Sequence, residues 1–137
     1  MKQEIQQKYI ELQFLNQQIK KVQEQFMFFQ QQLAELINLE TSLLDMKNIK
    51  EDSELFSSLG SGIFVNSKLV DPKNVLVNVG ASVLVTKTVE EAIKLIKIQI
   101  ENVNKSQETI KEELTKAATY SGQLTQELNE LASQEQK

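Results

Sequence analysis

The chain has 137 residues, one domain's length, with 40% hydrophobic residues, a formal charge of −4, no cysteine and no histidine. That composition excludes a disulfide framework, a thiol nucleophile and a cysteine metal site, and it removes the commonest general base and metal ligand. The acidic balance argues against nucleic acid as a partner, which calls for a basic face.

The first predicted element is a long helix from about Gln3 to Asn48. Apolar residues recur every seven positions in one series, Ile5, Leu12, Ile19, Phe26 and Leu33. A second series runs three residues on, through Leu15, Val22, Phe29, Leu36 and Leu43. These are the a and d positions of a coiled coil, sustained over about five heptads. The residues between are glutamine, glutamate and lysine, good helix formers, and no glycine or proline interrupts them. The narrow, very long seam favours this reading over the alternative, an amphipathic helix lying on a globular core. Ile10, Phe14, Met27 and Phe28 fall off the seam. They read either as single exposed apolar residues or neighbour contacts, or as a patch for an apolar partner.

The middle of the chain, 49–87, holds the only proline, Pro72, and three of the four glycines. Ile63 to Val70, Val75 to Val79 and Val83 to Thr86 are valine- and isoleucine-rich strands, with Glu54 to Ser58 as a weaker fourth. Asp71-Pro72-Lys73-Asn74 has the composition of a type I turn. Gly60-Ser61-Gly62 is a strand-breaking turn: it lacks the lysine of a P-loop and the third glycine of a dinucleotide fingerprint. The pattern predicts two hairpins. Both of their faces carry apolar side chains, which a few short strands cannot bury alone. Either the insert assembles with other subunits through its edges and faces, or its second face packs on the base of its own coil.

The last element, 88–137, opens on Thr88 and Glu91 at capping-box spacing. Its a series is Ile93, Ile100, Gln107, Leu114, Ser121 and Leu128; its d series is Ile96, Val103, Ile110, Ala117, Leu124 and Leu131. The seam thins at Gln107, Ala117 and Ser121. The two arms, at 1–48 and 88–137, are similar in length, roughly 70 Å each at 1.5 Å per residue. The insert reverses the chain, so the arms pair antiparallel. If paired residue numbers total 136, every layer sets an a against a d; totals one heptad away do so too. The expected class is α+β, mostly α: a long antiparallel two-helix coiled coil joined by two β-hairpins.

No catalytic, cofactor-binding or metal-binding constellation emerges. Glu90-Glu91 and Glu112-Glu113 point about 100° apart on a helix and form no acid/base pair. No stretch approaches the roughly 18 consecutive apolar residues of a membrane span, and Met1 to Gln7 lacks the apolar centre of a signal peptide. A soluble cytoplasmic protein that is not an enzyme is the expectation.

Gly60-Ser61-Gly62-Ile63-Phe64-Val65, Lys68-Leu69, Val75 to Ala81, Val83-Leu84-Val85 and Thr88 to Ile93 together resemble the α subunits of the prefoldin family, in the archaeal form similar to eukaryotic subunit five. The likeness is specific from about Gly60 to Ile93; the arms match it by pattern. It implies an ATP-independent holdase chaperone without cofactors, built as a hexamer of two α and four β subunits. It implies that the hairpins close an oligomeric β-barrel, and that coil tips hold unfolded proteins for delivery to a group II chaperonin. Carried onto this chain, client contact falls on Ile5, Tyr9, Ile10, Leu12, Phe14, Leu124, Leu128 and Leu131. Subunit assembly falls on Ile63, Phe64, Val65, Leu69, Val75, Leu76, Val77, Val79, Val83, Leu84 and Val85. The competing reading, left open by the arms alone, is a passive coiled-coil tether or adaptor.

Overall fold

In a computed structural model, which describes residues 2–135, the uninterrupted glutamine-, lysine- and leucine-rich run forms one helix, α1, Lys2–Met46. Four strands follow: β1 Ser53–Gly60, β2 Ile63–Leu69, β3 Asn74–Asn78 and β4 Leu84–Thr88. The second helix, α2, is Val89–Glu135. Packing groups the chain into two units, one of residues 2–33 with 102–135 and one of Ala34–Glu101.

In the first unit the heptad series reads directly as burial. Ile5, Leu12, Leu15, Ile19, Val22, Phe26, Phe29 and Leu33 of α1 are half-buried, with exposed residues between them. On α2, Ile110 and Leu124 are fully buried and the remaining a and d residues half-buried. Two helices alone cover only a stripe of each other, so most seam residues keep some solvent contact. Lys8 donates to Glu127, and the Ser121 hydroxyl donates to Asn16 Oδ1 at 3.1 Å. Both pairs lie within one residue of the register totalling 136, which selects it over its heptad-shifted alternatives. Helical hydroxyls are satisfied locally: Thr115 and Thr125 donate to the carbonyls four residues back. Gly122 is exposed in the α2 interior, and a Cβ there meets open space. Gly122→Ala is therefore expected to stabilise the protein by about 1 kcal/mol, seen as a raised thermal midpoint.

In the second unit the four strands form two separate two-stranded sheets rather than one. β1 pairs antiparallel with β2, from Ser53 opposite Leu69 to Gly60 opposite Ile63, with a bulge at Leu59. The Ser61-Gly62 turn has φ of 52° and 80°. Two positive values in a two-residue loop match the primed turn that suits strand twist, and Gly62 takes the second at no steric cost. β3 pairs with β4, from Asn74 opposite Thr88 to Asn78 opposite Leu84. That turn carries three positive φ values in a row, at Gly80, Ala81 and Ser82, steadied by Gly80 N donating to Asn78 Oδ1 at 2.9 Å. The two non-glycine residues each cost about 1–2 kcal/mol there.

Asp71-Pro72 links the hairpins rather than closing one. Its bend is fastened by a side chain: Asp71 Oδ1 accepts from Lys73 N at 2.9 Å and Oδ2 from Asn74 Nδ2 at 3.0 Å. The Lys73 amide foremost, then the Asn74 side chain, hold this carboxyl below the usual range. The core sits where helices meet the second hairpin. Leu43, Val89, Ala92 and Ile93 are buried together, and Met46, Val75, Val77 and Ile96 pack against them. β4 passes into α2 with no residue between. Thr88 is both the last strand residue and the helix cap, its Oγ1 accepting from Glu91 N at 3.1 Å. Val89 N donates to the Lys73 carbonyl at 2.9 Å, tying the first helical residue to the residue before β3.

Candidate functional site

Among the apolar side chains left uncovered within the chain, Met27 and Phe28 stand exposed in the middle of α1, and two larger groups are candidate surfaces. The first lies on the terminal parts of the helices. Ile10 and Phe14 are 65% and 61% exposed and stand four residues apart, on one helix face; Tyr9 beside them is exposed too. The other sequence-assigned client residues lie in the seam. Ile5, Leu12, Leu128 and Leu131 are half-buried, and Leu124 is fully buried. The closed coil thus separates the eight residues into three that solvent reaches freely and five that it reaches partly or not at all.

Around the seam residues is a polar framework that the heptad reading passed over. Lys8 occupies the seam position one heptad before Leu15, with its side chain 26% exposed, and pairs with Glu127. The bond to Glu127 keeps the Lys8 ammonium above the ordinary lysine range. The Tyr120 hydroxyl donates to Glu11, which raises its pKa. The d series, carried back seven residues from Leu15, would have reached Lys8.

The second surface is the pair of hairpins. Ile63, Phe64, Val65, Leu76, Val79, Val83, Leu84 and Val85 are exposed, while Leu69, Val75 and Val77 are half-buried. Val75 and Val77 rest on the helical core. So one face of β3 packs on the chain's own helices, and the opposite face, with Leu76 at 67% exposure, does not. In the first hairpin Leu55, Ser57, Ser67 and Leu69 form the more covered face, with the Ser57 and Ser67 hydroxyls hydrogen-bonded 2.6 Å apart. Sequence reading missed Phe56, 72% exposed on the other face, and the exposed Leu59 and Val70 at the two ends of this hairpin. The signal was Phe56 itself, a lone aromatic sharing its strand face with Glu54 and Ser58 in the weakest strand.

Among the described residues no group of three or more acidic, histidine or cysteine side chains is placed to hold a metal. No helix among them is long and apolar enough to cross a membrane. The chemistry on display is apolar contact, with strand edges beside it.

A family model described as "Prefoldin subunit" matches residues 15–134. Among curated relatives, the chain is 30% identical over 137 residues to prefoldin subunit alpha 1 of Methanocaldococcus jannaschii, covering all of this chain and 92% of that one. It is 29% identical over 133 residues to prefoldin subunit alpha of Methanococcus vannielii, covering 97% and 89%. Among solved structures, filamentous PFD from Methanocaldococcus jannaschii superposes with a TM-score of 0.73 at 20% identity, covering 85% of this chain and 96% of that one. Two long helices joined by two hairpins, an insert with uncovered apolar faces and a family match over most of the sequence converge: the chain belongs to the prefoldin family.

Proposed function

We propose that this chain is the α-type subunit of a cytoplasmic holdase that needs no nucleotide, assembling with β-type subunits as two α and four β. Membership of the prefoldin family supports a chaperone-type role. In this reading the hairpins enter a shared β-barrel, which covers Phe64, Leu76 and Leu84. The ends of the helices hold unfolded proteins and pass them to a group II chaperonin. The observation that carries the reading is that exposed apolar side chains occur in two settings, on paired strands and on helix ends. Strands with open edges suit permanent partners, because backbone pairing fixes register. Single side chains such as Ile10 and Phe14 suit transient, unselective contact, and several tips acting together gain avidity without a shaped site.

Replacing Ile10 and Phe14 with serine tests the tips. Both side chains are exposed, so the coil and the assembly stay intact while suppression of client aggregation falls severalfold. Unchanged suppression would reject these residues as the contact. The mass of the chain alone, then mixed with a β-type subunit, separates the chaperone from a tether: a nucleotide-independent hexamer that suppresses aggregation supports the first, and an inert dimer the second.

A further inference from the structure

We propose that three cross-helix polar contacts, Lys8 with Glu127, Glu11 with Tyr120 and Asn16 with Ser121, form a releasable clasp that holds the distal coil shut over its own apolar seam. The inference rests on the tip-binding reading and adds a control to it. In the register of the structure, the seam layers here pair Ile5 with Leu131, Lys8 with Leu128, Leu12 with Leu124, Leu15 with Ser121 and Ile19 with Ala117. The second, fourth and fifth of these contain a charge, a hydroxyl or a methyl group where a large apolar side chain would pack. The next two layers, Val22 with Leu114 and Phe26 with Ile110, are wholly apolar. Apolar packing is therefore thin where the polar contacts gather. A lysine at a seam position lowers stability relative to an apolar residue while making the closed state depend on its partner.

The partners that face this lysine are Glu127 across the seam and Glu4 and Glu11 on its own helix. Glu127 is half exposed, and exposed ion pairs are individually weak and screened by salt. Such contacts close a coil without sealing it. Leu124, only 3% exposed, lies between the Ser121 and Glu127 contacts and reaches solvent only when the helices part. Ile10 and Phe14 then act as the standing contact, and Leu12, Leu124 and Leu128 as a reserve that opening uncovers.

The chain has no cysteine, so spin labels on Gln3→Cys and Ser133→Cys report the tip separation alone. In the full chain at low salt the expected distance distribution is short and narrow, and a longer population grows as salt rises. Lys8→Glu, which sets two carboxylates together, is expected to enlarge the long population severalfold at low salt. Adding Glu127→Lys should restore the short one, and Lys8→Leu should hold it at every salt concentration. Circular dichroism confirms that each variant remains helical, and Lys8→Gln replaces Lys8→Glu if the latter does not fold. Distances indifferent to salt and to the charge at position 8 would overturn the clasp. This readout is independent of client binding, so the serine variants at Ile10 and Phe14 can fail while the clasp stands, or the reverse.

Discussion

Leu43→Ala is expected to lower stability by about 2–5 kcal/mol, the range for emptying a buried leucine site. Leu43 is 7% exposed and packs with Val89, Ala92 and Ile93, where Val89 at 1% is the most buried side chain. The site has little room to collapse, because helices and strand meet there: Val75 and Val77 lean on the same cluster. Loss of Leu43 should therefore loosen the second hairpin as well as the helices. Urea unfolding followed by circular dichroism measures the cost, and faster amide hydrogen exchange in β3 reports the loosening. A cost below about 1 kcal/mol, the centre of the distribution for ordinary point mutants, would mean that the cluster closes over the gap and does not support the hairpin.

Phe64→Asp with Leu76→Asp is expected to abolish assembly while leaving the isolated chain folded. Both side chains are exposed in the chain alone, so charging them removes no internal packing. If the proposed barrel covers them, each carboxylate loses water without gaining a partner. Burial of an unpaired charge costs several kcal/mol, and every 1.4 kcal/mol is tenfold in affinity, so two such sites weaken association by a thousandfold or more, to order of magnitude. Native mass spectrometry of a mixture with β-type subunits should show the hexamer disappear. A surviving hexamer would place the interface on other hairpin residues, with Phe56 the first to examine.

The coil was legible because its physics repeats. A heptad error moves a side chain from seam to solvent, so five or six repeats on each arm leave little choice, and every a and d residue assigned from Ile5 to Leu43 and from Ile93 to Leu131 is at least half-buried. Register was not legible from that pattern, since a heptad slip preserves it; non-repeating residues decide it, among them Lys8 with Glu127 and Asn16 with Ser121. In the insert, the four strands lie within one or two residues of their expected limits. The two-hairpin pattern gave the pairing of the strands, β1 with β2 and β3 with β4, though turn composition alone does not distinguish the turns. Asp71-Pro72 has turn chemistry, yet it joins two hairpins, and only a full set of strand partners distinguishes a hairpin turn from a link. Ala92 was also out of reach. It lies off both seam series and is buried in the cluster where Leu43 and Met46 of α1 meet Val75 and Val77 of β3, a tertiary effect that periodicity along one helix does not carry.

The junction at Thr88 and Val89 has a mechanical meaning. A loop between strand and helix would act as a swivel, letting the hairpin turn in its socket while the helix kept its heading. Here strand and helix share a bond-to-bond joint, braced sideways by the Val89 amide on the Lys73 carbonyl. Torque therefore passes through it. Whatever grips the second hairpin also sets the azimuth of the first turns of α2, while the first hairpin is reached from α1 through residues 47–52 and left through 70–73, hydrogen-bonded linkers rather than a direct strand-to-helix joint. The second hairpin is thus the bolt that sets the start of α2, and the first carries no such joint.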